Sequence, residues 1–167
     1  MQNFRFLNQV LSFKYSRKVW LTFCIFNFAF LTGCSIPNLE KPECTESRGA
    51  VKEFYSYHFG NEMKFTPENL QPREKYLTKE LTTLLRRFVT ESDPFTLTTN
   101  DAPKAFRVSG CKVIDANKTD VGVLLFWRDD TRTEQREIHA EVVRENDKWL
   151  ISNIYNDQSN LQNNLNH

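Results

Sequence analysis

What this chain of 167 residues has little of narrows its chemistry first. Five glycines, none clustered, leave no loop in which successive backbone N–H groups could cradle a phosphate. Three scattered histidines, and four cysteines without a Cys-x-x-Cys spacing, give no metal-ligand signature, and no Ser-His-Asp order is legible. Neither cofactor, metal nor catalytic set is assigned on that basis. Charge of one sign is missing too: 22 basic side chains face 21 acidic ones with no basic run. That balance is poorly matched to nucleic acid, whose affinity rests on phosphate neutralisation by Lys and Arg. A long apolar run is also lacking. The most apolar stretch, Val19 to Phe30, covers roughly 18 Å as a helix, well short of the roughly 30 Å hydrocarbon core.

What is present begins at the N-terminus. Arg5, Lys14, Arg17 and Lys18, with no acidic residue among them, precede that apolar stretch, as in a secretory signal. The run Leu31-Thr32-Gly33-Cys34 follows directly and resembles a bacterial lipobox. The resemblance implies that residues 1–33 are removed, that Cys34 carries a lipid, and that the protein is held to a membrane of the cell envelope. Ser35, standing where Asp would signal inner-membrane retention, implies outer-membrane sorting in a Gram-negative cell. On this reading 134 residues remain, with 18 basic and 21 acidic side chains, enough for one domain. Residues 34–43, with two prolines and no apolar period, read as an extended tether. Cys24 leaves with the signal, so Cys44 and Cys111 are the thiols left in an oxidising compartment. A bridge between them is expected, two unrelated buried thiols being the alternative.

The domain is expected over residues 44–155. Thr45 can cap a helix whose apolar face is Val51, Phe54, Tyr55 and His58, with Gly60 placed to end it. Thr66-Pro67 repeats a cap followed by an N1 proline, and Pro72 limits that segment to a turn or two. Thr78 caps a third helix to about Glu91, carrying Leu81, Leu84, Leu85 and Phe88 on one side. Asp93 to Ala105 is polar and broken by Pro94 and Pro103. From Phe106 the period becomes two: strands at 106–115, 121–128, 134–145 and 148–155, with turns at 116–120 and Asn146-Asp147. Val121 to Trp127 is apolar on both faces, which suggests a central strand. Asn156 to His167 is rich in Asn and Gln and is expected to be disordered. Helices followed by an antiparallel meander make an α+β fold.

That order of elements, with Ala50-Val51-Lys52-Glu53-Phe54-Tyr55 near its start and Lys148-Trp149-Leu150-Ile151-Ser152-Asn153-Ile154 at its end, resembles the nuclear-transport-factor-2-like superfamily. Within it the chain looks most like the bacterial family called domain of unknown function 3828. The resemblance implies a cone, with helices covering one face of a curved sheet of about four strands and a pocket at the open end. It supplies no catalytic motif, and fold alone assigns no reaction.

The candidate pocket residues are Tyr55, His58, Trp127, His139 and Tyr155. His139 lies mid-strand between Glu137 and Glu141, on the face opposite Ile138, Ala140 and Val142, where it serves either in acid–base work or in a solvated charged row. His58 can line a pocket mouth, or favour a helix C-terminus for its dipole alone. The aromatics can form a ligand platform or belong to the core. A non-catalytic module binding a small ligand, a cell-wall fragment or an envelope protein is favoured. A small hydrolase or isomerase would need His139 or His58 in the cavity beside a carboxylate, and a purely structural protein would need no pocket.

Overall fold

The computed structural model describes residues 40–87, 92–98, 101–128, 130 and 132–165. The signal segment, Cys34, most of the tether and the end of the third helix from Phe88 to Glu91 lie outside the described residues.

Helix α1 spans Pro42–Phe59, starting four residues earlier than a cap at Thr45 would place it. Pro42 is the reason: its fixed φ and missing N–H suit the first helical position, so the chain enters the helix from Lys41 without a side-chain cap. Thr45 lies inside the first turn, and its hydroxyl donates back to the Lys41 carbonyl at 3.5 Å. Pro42 and Glu43, expected to belong to an extended tether, are therefore helical. Val51, Phe54, Tyr55 and His58 recur at helical spacing and are all fully buried. Gly60 follows the helix, its N–H bonded to the Ser56 carbonyl at 3.1 Å. Thr66 caps α2, Pro67–Leu70, by accepting from the Asn69 N–H at 3.2 Å, and Pro72 opens a 3-10 turn over Gln71–Tyr76. Thr78 caps α3, Lys79–Arg87, accepting from the Leu81 N–H at 3.2 Å.

The second half is an antiparallel meander in the order β1-β2-β3-β4. Its strands are β1, Ala105–Asp115; β2, Lys118–Arg128; β3, Thr133–Glu145; and β4, Lys148–Tyr155. Asn146 and Asp147 turn β3 into β4 with φ of 48° and 61°, the left-handed pair that suits the twist of a two-residue hairpin. The β1–β2 hairpin is tighter than expected. Only Ala116 and Asn117 form the turn, so Thr119 and Asp120 belong to β2 and face Val142 and Glu141 across it. Val121, Val123, Leu125 and Trp127 from β2, with Ile138, Ala140 and Val142 from β3, point to the helices and are fully buried or nearly so. The whole is helices packed on a four-stranded antiparallel sheet, the α+β arrangement expected.

Three details fix the sheet to its surroundings. Cys44 of α1 and Cys111 of β1 form a disulfide with Cα atoms 5.7 Å apart. In the chain-entropy account, closing a loop of 67 residues is worth roughly 4 kcal/mol. On the sheet face away from the helices, Ser109 of β1 donates to Glu137 of β3 at 2.7 Å, passing over Gly122 of β2. A Cβ on Gly122 would stand 2.2 Å from Ser109 Oγ and 2.7 Å from Glu137 Oε1, so any other residue there would push these two side chains aside and part their bond. Finally, the C-terminal segment is ordered where disorder was expected. Asn160 Oδ1 accepts from Asn153 of β4 at 3.1 Å and from the Asn163 N–H at 3.1 Å, capping a short helix α4 over Leu161–Leu165. Leu161 is buried in the core. An asparagine in a polar tail is here a helix cap, which its composition does not show.

Candidate functional site

The five nominated residues do not gather in one cavity. Tyr55 and His58 are fully buried on the inner face of α1, Trp127 is buried in β2, and His139 and Tyr155 lie on the sheet face away from the core. The reason is register. Core-facing positions of β2 are odd-numbered, which turns Trp127 inward, whereas His139 and Tyr155 pair across β3 and β4 on the opposite side. Trp127 packs under the Arg136 guanidinium at 4.9 Å, and its Nε1 donates to the Asp101 carbonyl at 3.0 Å. It is a wall of the core.

His58 sits in a buried polar network that composition does not foretell. Arg73 Nε donates to His58 Nδ1 at 3.0 Å, which puts the ring proton on Nε2, and Nε2 donates to Asp93 Oδ2 at 2.9 Å. Asp93 also accepts from Thr96 Oγ1 at 2.6 Å and from the Phe95 N–H at 3.0 Å. Arg73 bonds the Glu62 carbonyl at 2.8 Å and that of Asn69. Burial lowers the Arg73 pKa from its ordinary value, with Tyr57 and Asp93 opposing. Tyr55 donates to the Phe95 carbonyl at 2.8 Å, and burial, with Asp93 adding to it, pushes its phenol well above the ordinary value. The polar stretch after Asp93 thus supplies Phe95 to the core and a carboxylate to the network. Both histidine nitrogens are committed, and the group ties the end of α1 to the 3-10 turn and to residues 93–98.

His139 has a different environment. Its Nδ1 lies 3.2 Å from Asp120 Oδ2, and its ring stacks on Tyr155 with centroids 5.2 Å apart and planes at 21°. The side chain is 37% exposed. Burial first, then the Asp120 charge and a hydrogen bond to it, push the Tyr155 phenol up to about 12. With Nδ1 engaged by Asp120, Nε2 is the ring nitrogen able to accept from a ligand hydroxyl. Among the described residues, neither histidine is hydrogen-bonded to a serine, threonine or cysteine. Among those residues, too, no three side chains converge as metal ligands, and no helix is long and apolar enough to cross a membrane.

Among the described residues, three surface hollows lie elsewhere. One of about 180 Å³ reaches Asp93 between Leu97, Ser159 and Asn164. A second, about 490 Å³, is polar and lies between Thr78, Lys118, Glu141 and Gln162. The third, about 380 Å³, runs between α1 and β1. None of the three is lined by the five nominated residues.

No family model matches the chain, and no curated protein matches it. Among solved structures it is similar to a protein of unknown function from Bacteroides thetaiotaomicron, 23% identical over 67% of this chain and 90% of the other, with a TM-score of 0.47.

Proposed function

We propose that the protein is a lipid-tethered binding module of the bacterial cell envelope, processed before Cys34, and that its domain is a nuclear-transport-factor-2-like cone without catalytic activity. The observation that carries the location is the Cys44–Cys111 bridge, because such bonds form and persist in oxidising compartments. It agrees with the basic and apolar segments ahead of Leu31-Thr32-Gly33-Cys34. The non-catalytic reading is supported by the two His–Asp pairs: one is saturated by Arg73, and the other lacks a bonded nucleophile among the described residues. The order of helices and meander supports the cone.

Intact-mass analysis of the protein extracted from membranes of an expressing bacterium tests this reading. The expected species begins at a diacylglyceryl-Cys34 and has Cys44 and Cys111 alkylated only after reduction. A full-length, unlipidated chain with free thiols would overturn it.

A further inference from the structure

The hollow between α1 and β1 has a chemistry of its own. Phe106 and Val108 of β1, half-buried, give it an apolar floor. Arg48 and Lys52 of α1 stand beside it with one acidic lining residue, Glu40, while Arg107 turns its guanidinium to the other sheet face, over the Phe126 ring at 5.8 Å. Glu40 engages one end of the Arg48 guanidinium, Nη1, at 2.9 Å. Arg48 Nε is shielded from solvent and has no hydrogen-bond acceptor among the described residues. At about 380 Å³ the hollow falls within the size range of small-molecule sites.

Gly49 is the second observation. It lies inside α1, where glycine is less favourable than alanine, yet a Cβ there would meet nothing within 4 Å. No close packing requires the glycine. Its effect is to leave the helix side of the hollow open to an occupant.

We propose that this hollow binds a single-chain anionic amphiphile, its alkyl chain on Phe106 and Val108 and its carboxylate or phosphate held by Arg48 and Lys52. The proposal rests on the binding-module reading and names the ligand class. Apolar floor and cationic rim together select it: a free phosphate leaves the floor unused, and an uncharged chain leaves the two cations of α1 unused.

The test is photocrosslinking in membranes of an expressing bacterium, with diazirine-bearing dodecanoate and dodecyl phosphate as probes and the matching dodecanol as uncharged control. Adducts are expected on the peptides that carry Gly49 to Lys52 and Phe106 to Val108. Arg48→Gln and Lys52→Gln should each cut the yield by about tenfold, the size expected for losing one charged hydrogen bond. Gly49→Trp should remove it by filling the hollow, with intact disulfide and protease resistance reporting that the variant folds. Equal labelling by dodecanol, label spread over the whole surface, or labelling unchanged in all three variants would overturn the proposal. So would crosslinks joining two copies of the chain through this hollow in place of probe adducts. The intact-mass experiment reads the anchor separately, so an unlipidated chain that still takes up probe would sink the location and leave the hollow's ligand standing.

Discussion

His58 and His139 are each paired with an aspartate, at 2.9 Å and 3.2 Å, and the two pairs do different work. His58 is sealed in the core with a donor on one ring nitrogen and an acceptor on the other, so the ring is a connector between three segments. His139 keeps one nitrogen outside its aspartate pair, rests on an aromatic ring and is partly exposed. The same two side chains make a structural joint when burial adds a second partner, and a contact surface when it does not. Burial and the third partner decide, and proximity of histidine to carboxylate does not.

The largest effect expected from this contrast is that of His58→Ala. Removing the ring leaves Asp93 and Arg73 buried without each other's bridge, and breaking such a buried pair costs about 3–5 kcal/mol. Urea unfolding measures it, and a loss below about 1 kcal/mol would mean that water or rearrangement replaces the ring. Next comes a pair of double-mutant cycles by the same method. His58 with Asp93 should show a coupling of about 1–3 kcal/mol, His139 with Asp120 about 1 kcal/mol or less. Similar values for the two would erase the distinction. His139→Ala alone should change stability by no more than about 1 kcal/mol, since the pair is partly solvated.

The smallest effect lies at high pH. Because the folded Tyr155 phenol ionises only at about 12, above its unfolded value of about 10, the stability it contributes is complete below pH 10 and is lost as pH rises toward 12. Tyr155→Phe should therefore move the alkaline unfolding transition upward. Asp120→Asn should bring the phenolate absorbance step down only part of the way, burial being the larger cause. A step that does not move with Asp120→Asn would detach the phenol from the carboxylate.

Much of the fold was legible because its signals are local. Alternation located all four strands to within a few residues, Asn146-Asp147 marked its hairpin, and Val51, Phe54, Tyr55 and His58 marked the buried face of α1. The misses share a cause. Reading residues 116–120 as one loop took Asp120 out of β2, and with it the partner of His139. A turn limited to Ala116-Asn117 would have placed Asp120 opposite Glu141, beside that histidine. Phe95 and Asp93 were hidden in a polar, proline-broken stretch because their partners, His58, Tyr55 and Arg73, are distant in sequence. Leu161 was hidden in the same way by the asparagines around it. Polar residues that satisfy one another across the fold carry no periodicity, so no pattern announces them.

Gly122 bears on how the strands find their alignment. Sliding β2 by two residues keeps its apolar side chains facing the helices, so burial alone discriminates weakly between the native pairing and that shifted one. Either slip would bring Asp120 or Leu124 under the bond between Ser109 and Glu137, and its side chain would push the two partners apart. The missing side chain thus leaves room, in one setting of the three strands, for a bond that a slip to either side would break.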